Sequence, residues 1–290
     1  LNRLGADPKA IRAAYTLLIM ALNAVDELTA PSRPPQAPSM SQVRVIWQSE
    51  AILSGPSEYW ISVINVGRQV KLQDVQAAYL EQVAVTEDIS EPVGHIVASL
   101  MHVGDVLSLA PGTIPTSPQG EGPHQLAHAY MSSATELAPP VLIPIADLST
   151  SLRPDGQQAG PASPDEDYFL GDDPKAGANK KMKRAFCEPG NTITNPPLRL
   201  AKEIALNLFG KLQCGEMVFS SSDAGAMEAA FASDTLTPQL LKPAMGEVMA
   251  RVLETINSSV KKNPEGKKAE TTLKNFVKGL AKKSGGGKKK

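Results

Sequence analysis

Residues 238–262 read PQLLKPAMGEVMARVLETINSSVKK, and residues 263–290 read NPEGKKAETTLKNFVKGLAKKSGGGKKK. In the first segment Met245, Val248, Met249, Val252, Leu253 and Ile256 keep the i, i+3, i+4, i+7, i+8, i+11 spacing of one helix face. Asn263-Pro264-Glu265-Gly266 interrupts the pattern. It resumes at Leu273, Phe276, Val277 and Leu280, with Lys274, Lys278 and Lys282 running beside the apolar stripe. The last residues, Ser284 to Lys290, have nothing to bury and read as a flexible basic tail. This end of the chain predicts a mainly α protein that closes on two amphipathic helices.

Working outward, residues 7–28 predict another helix. Asp7 is a suitable N-cap and Pro8 suits the first helical position. Ile11, Ala14, Tyr15, Leu18, Leu22 and Val25 form its apolar face, expected to serve core packing or self-association. The apolar run 13–22 is too short to cross a bilayer, and Asp7-Pro8 makes a helix start rather than the head of a signal peptide. Residues 43–72 predict a small β element. Val43, Val45 and Trp47 alternate with Arg44 and Ile46, and Tyr59 to Val66 is rich in strand formers. Residues 92–109 fit a helix through Ile96, Leu100, Val103 and Leu107, weakened by Gly94 and Gly104. Residues 111–196 are punctuated by proline and read as a Pro/Gly-rich connector with short ordered pieces, of which 149–180 has the composition of a solvated linker. Pro196-Pro197 then opens a helix expected to run through Leu198, Ala201, Ile204, Leu208 and Leu212 to Gly215. The expected division is 1–110, 111–196, 197–262 and 263–290: a helical domain with the β element, the connector, a helical C-terminal domain, and the basic helix with its tail.

The formal charge of −1 conceals a separation. Eleven lysines against Glu265 and Glu270 put +9 on residues 261–290, which leaves −10 on residues 1–260. Such asymmetry points to nucleic acid, an anionic membrane surface or an acidic protein. Aromatic residues are only 4% of the chain, too few for a platform that stacks single-stranded bases. Two cysteines, Cys187 and Cys214, make neither a disulfide framework nor a zinc knuckle and favour an intracellular reducing compartment, the nucleus among the candidates.

Motifs for chemistry are sparse. His124 and His128 share a helix face at i, i+4, but no third ligand stands at metal spacing, so no metal is expected. Asp165-Glu166-Asp167 and Asp172-Asp173 lack the spacing of a calcium loop and read as solvated acids. Lys180-Lys181-Met182-Lys183-Arg184 is a basic cluster suited to phosphates, or to pairing with the acids before it. GxxxxGK[ST], GxGxxG after a strand and GxSxG are all absent. The expected function is therefore a non-enzymatic, nucleocapsid-like or nucleoid-like RNA- or DNA-binding protein that self-associates and needs no cofactor. Its phosphate contacts would be Lys261, Lys262, Lys267, Lys268, Lys274, Lys278, Lys282, Lys283, Lys288, Lys289 and Lys290, joined by Lys180, Lys181, Lys183 and Arg184. Lysine without arginine in residues 261–290 argues for binding without base reading. The alternatives are a protein-interaction or membrane-surface module built on the 273–280 stripe, and an enzyme whose site no motif discloses.

Overall fold

The structure, a computed structural model, describes residues 7–80, 93–145, 151–153 and 163–285. In chain order the main elements are α1 (Pro8–Thr29), α2 (Gln48–Ser54), α3 (Pro56–Gln69), α4 (Leu72–Leu80), α5 (Gly94–Leu109), β1 (Thr113–Thr116), α6 (Glu121–Ala134), β2 (Val141–Pro144) and α7 (Ala176–Arg184). There follow α8 (Pro196–Leu200), a π-helical turn (Ala201–Leu206), α9 (Asn207–Phe209), β3 (Lys211–Cys214), β4 (Met217–Ser220), α10 (Ala224–Ala232), α11 (Pro238–Lys262) and α12 (Pro264–Gly285). The mainly α expectation holds, and the described strands form two small sheets, parallel β1–β2 and antiparallel β3–β4. The chain divides into two compact units: residues 1–43 with 149–290, and residues 44–148. That division differs from the consecutive domains expected, because the first helix belongs with the C-terminal helices.

In the first unit, α11 lays Leu241, Met245, Met249 and Leu253 into a core shared with Met182 of α7, Leu198 and Leu200 of α8, Leu212 and Phe219 of the β3–β4 hairpin, and Phe231 of α10. Its next turns, at Ile256, meet Ala21 and Ala24 of α1. The break before α12 is a cap. Asn263 Oδ1 accepts the Glu265 amide at 2.8 Å, and Pro264 takes the first helical position, where its missing N–H costs nothing. Much of the expected face of α1 turns outward, although Val25 still packs on the core. Leu18 and Leu22 are exposed, and the buried positions are Ala10, Ala13, Ala21 and Ala24. Alanine lets α11 and α12 approach the helix axis closely. The same rule operates across the interface, where α12 buries Gly266 and Ala269; a Cβ at Gly266 would lie 3.0 Å from Met20 Sδ and 2.7 Å from the Val260 carbonyl. Pro8–Ser32 is long and apolar enough to cross a bilayer by length and composition, yet in this fold its alanine face is occupied by protein.

Two expectations for this unit are corrected. The helix opened by Pro196-Pro197 stops at Gly210, in the left-handed region at φ 71°, and Leu212 lies on a strand. Gly215, also at positive φ (63°), forms the hairpin turn. The acidic part of the supposed linker is folded where it is described. Asp173 Oδ1 accepts the Ala176 and Lys175 amides at 2.6 and 3.1 Å and so holds the turn that leads into α7. These amides hold the Asp173 carboxyl below its ordinary range. Asp167 is buried and accepts the Ser163 amide at 2.7 Å. Residues 154–162 of the connector and residues 286–290 of the tail lie outside the described residues.

In the second unit α3, α4, α5 and α6 pack around Val66, Val75, Val103, Val106, Leu126 and Met131. The β element expected at 43–72 is absent: residues 43–47 are irregular, and the rest is mostly helical, as α2, α3 and the start of α4. Gly55-Pro56 starts α3, Gly67-Arg68 continues it where a turn was expected, Glu58 and Arg68 sit at the helix ends that suit their charges, and Val63 and Val66 fall on one buried face. That face docks on α5, where a Cβ at Gly104 would lie 2.9 Å from Val63 Cγ2. Close packing at a glycine outweighs the strand preference of valine and isoleucine.

Candidate functional site

The basic residues expected at phosphates separate into two groups. Lys180, Lys183 and Arg184 are exposed on α7. Lys242 of α11 donates to the Lys183 carbonyl at 2.9 Å, which brings another ammonium to the end of that helix. Lys261 and Lys262 end α11, and Lys267, Lys268, Lys274 and Lys278 are exposed along α12. Lys282 and Lys283 fall within α12 with side chains outside the description, as are Lys288, Lys289 and Lys290 altogether.

Lys181 is excluded from phosphate contact. Its side chain is 10% exposed, its ammonium donates to Asp172 Oδ2 at 2.6 Å and to the Asp167 carbonyl at 2.8 Å, and it lies 5.1 Å from the centre of the Phe169 ring. The alternative raised by the sequence, that the basic cluster pairs with the acids before it, describes Lys181. Arg184 keeps only a loose exposed pair with Asp165 at 3.6 Å and is free to turn to another anion.

The second unit carries a cleft of about 560 Å³ along α4 and α6. Helical periodicity builds it. Gly122, Leu126, Tyr130 and Ala134 recur every four residues on α6 and line the cleft with Ala78 of α4, while Glu121, Gln125 and Ser133 stand on the exposed side. Lys71 and Asp74 line it from the α4 side. No sequence motif marks this cleft; the fourfold recurrence was the available signal, and a core helix face looks the same.

Nearby in the same unit, the rings of His102 and His124 lie 5.0 Å apart between centres. Thr116 Oγ1 is 3.0 Å from His124 Nδ1, and His102 Nε2 is buried without a hydrogen-bond partner. Asp105, the charged neighbour of His102, accepts from Tyr59 Oη at 2.9 Å and from Gln48 Nε2 at 2.6 Å. Burial lowers both imidazole pKa values below 6.5; the charge of His124 lowers that of His102 further, and Asp105 opposes this. The folded state therefore binds fewer protons here than the unfolded chain. The contribution is intact above about pH 6.5 and is lost as pH falls through the folded-state values. Thermal melts from pH 7.5 to 5 should show falling stability, with a shallower slope in His102→Gln. An unchanged slope in that variant would rule the pair out as the source. Among the described residues no group of three or more His, Cys, Asp or Glu is placed to hold a metal ion, and His128 does not join the pair.

No family model matches the chain. The chain is 23% identical over 286 residues to cytoplasmic tyrosine–tRNA ligase 2 of Arabidopsis thaliana, covering 95% of this chain and 36% of that protein. It is 23% identical over 247 residues to cytoplasmic tyrosine–tRNA ligase 1 of the same plant, covering 81% of this chain and 62% of that one. The chain therefore spans less than two thirds of the curated relatives it matches. Among solved structures it superposes on tyrosyl-tRNA synthetase from Aeropyrum pernix with a TM-score of 0.75 at 22% identity, over 95% of this chain and 76% of that chain. On the Leishmania major tyrosyl-tRNA synthetase in complex with tyrosinol the TM-score is 0.79 at 19% identity, over 94% of this chain and 51% of that chain. These relationships overturn the expected nucleocapsid-like or nucleoid-like structural protein, because the similar proteins are ligases. Along nearly its whole length, the chain has the fold of the tyrosyl-tRNA synthetases.

Proposed function

We propose that this chain is a tyrosine–tRNA ligase-type protein whose nucleic-acid partner is a tRNA. The observation that carries this reading is the extent of the likeness: 94–95% of the chain follows the synthetase fold, and the curated relatives are ligases of that specificity. The basic residues then have a defined task. Lys180, Lys183 and Arg184 on α7, with Lys261, Lys262, Lys267, Lys268, Lys274 and Lys278, contact tRNA phosphates. Lysine supplies point charge without base reading, so specificity for one tRNA comes from shape and from other contacts.

The test is tyrosylation of tRNA by the purified chain, with a salt titration of tRNA binding beside it. If about six phosphates are neutralised, log K should fall against log[salt] with a slope of roughly −4 to −5. Lys180→Ala with Lys183→Ala and Arg184→Ala should flatten that slope by about 2 units and weaken binding at low salt. An unchanged slope would remove α7 from the interface. Binding without tyrosylation would restrict the reading to tRNA recognition.

Self-association belongs to the same reading. Trp60, Ile61 and Ile64 are 40%, 58% and 60% exposed on one side of α3, and contiguous apolar surface of this kind marks interfaces between proteins. Sedimentation should show a dimer for the native chain and a monomer for Ile61→Glu with Ile64→Glu. A monomeric native chain would contradict it.

A further inference from the structure

The apolar residues of α1 divide between two sides of one helix. Ala10, Ala13, Ala21 and Ala24 are buried, the last two against Ile256 of α11. Tyr15, Leu18 and Leu22, at i, i+3 and i+7, are 42–47% exposed on another side, with half-buried Ile11 and Ile19 beside them. No carboxylate interrupts this surface. The acids of α1 are Asp26 and Glu27. Asp26 is paired with Arg33 and accepts from Ser39 Oγ at 2.9 Å. Glu27 falls about 140° around the axis from Leu22, at 3.6 residues per turn. The charged residues in the first turns of α1 are Lys9 and Arg12. Helix α12, packed against α1, repeats the combination. Val277 and Leu280 are exposed, Lys274 and Lys278 are exposed on the same helix, and Glu270 already receives the Lys274 ammonium at 2.7 Å.

We infer that α1 and α12 form a docking surface for an anionic lipid membrane. Charge and shape select this occupant. Residues 1–260 sum to −10 and residues 261–290 to +9, so the α12 end is the one that an anionic surface attracts, and α1 lies against it. An isologous contact with a second copy would set one row of lysines against another. A partner helix needs a groove to lie in, whereas Tyr15, Leu18 and Leu22 stand on the convex outer side of one helix. Nucleic-acid phosphates would use the lysines and leave these leucines in water. A bilayer surface takes both features: the leucines enter between acyl chains, the Tyr15 ring sits at the headgroups, and the lysines meet lipid phosphates and carboxylates. Pro8–Ser32 is long and apolar enough to cross a bilayer, but its alanine side is held by protein, so the helix lies on the surface with only its outer side immersed.

The probe is a vesicle of phosphatidylcholine with roughly one third phosphatidylserine, sedimented with the full chain freed of nucleic acid. Vesicles of phosphatidylcholine alone are the control. The native chain should sediment with the anionic vesicles and not with the neutral ones. Raised salt should weaken binding without abolishing it, because screening acts on the lysines and not on the leucines. Leu18→Ser with Leu22→Ser changes exposed side chains and keeps the fold, which circular dichroism checks. It should weaken vesicle binding roughly tenfold and leave tRNA binding unchanged. Lys274→Gln with Lys278→Gln should weaken vesicle binding by a similar factor, roughly tenfold. The inference is overturned if the native chain ignores anionic vesicles, binds neutral ones equally, or is released completely by salt. Native affinity in Leu18→Ser/Leu22→Ser also overturns it, as does a loss of self-association in that variant, which would put a second copy on this face. Vesicle binding is read without tRNA, so failure here leaves the ligase reading standing, and an absence of tyrosylation leaves this surface standing.

Discussion

Lys181→Ala should lower the unfolding free energy by about 3–5 kcal/mol, the cost of removing one partner from a buried ion pair. The native ammonium is held between the Asp172 carboxylate and the Asp167 carbonyl, with side chains of Lys181 and Asp172 only 10% and 16% exposed. The variant strands the Asp172 carboxylate beside α7 without its counter-charge. It also empties space next to Ala178 and Met182, which are 0% and 1% exposed. Lys181→Met tests the cause, since it keeps much of the volume and removes only the charge. Combined with Asp172→Asn it should recover most of the loss, because an apolar stem beside a neutral amide has no unpaired charge to bury. Urea unfolding of the three variants checks this. A loss below about 1 kcal/mol for Lys181→Ala would mean that the pair is solvated and that α7 is a surface appendage.

Phe231→Ala should cost a similar 3–5 kcal/mol. Phe231 is 0% exposed at the end of α10, in the core that joins α8, the β3–β4 hairpin and α11. Phe231→Leu should retain more than half of the native contribution. Chemical unfolding followed by tryptophan fluorescence would miss the effect if the two units unfold separately, because Trp47 and Trp60 both lie in the second unit. Far-ultraviolet circular dichroism reads both. A change under about 1.5 kcal/mol would contradict the packing described here.

Where the sequence spoke through periodicity, it spoke correctly about α11 and α12, whose bounds follow the 3.6-residue stripe and the Asn263-Pro264 cap. It also placed α1 within a residue, although Tyr15, Leu18 and Leu22 of the face it favoured are exposed. Large apolar residues dominate a periodic pattern, whereas close helix contact selects alanine and glycine, which carry little hydropathy. The strand reading of residues 59–66 failed for a related reason. Tyr59, Val63 and Val66 are strand formers one by one, and their helical register shows only when Gly104 of α5 provides the groove. The linker reading of the acidic segment failed because composition cannot show a long-range partner for Asp172, which Lys181 supplies from the next helix. For the phosphate contacts the sequence identified a charge distribution and could not sort it. Lys181 and Lys183 stand two residues apart, and only the direction each takes from α7 makes one a core residue and the other a surface cation. The likeness to tyrosyl-tRNA synthetases did not show in the motifs searched for, GxxxxGK[ST], GxGxxG and GxSxG; it is a likeness of fold.

We propose a tRNA as the partner of this chain, in preference to polyanions in general. The measurement that tests it most directly is competition binding: the nucleic-acid-free chain holding labelled tRNA specific for tyrosine, challenged at 150 mM salt with unlabelled tRNA or with duplex DNA of equal phosphate count. Nonspecific lysine contacts would let the two competitors displace the label equally. The account predicts that tRNA displaces it at concentrations at least tenfold lower than DNA. Equal displacement, or no retention of tRNA at all, would contradict it.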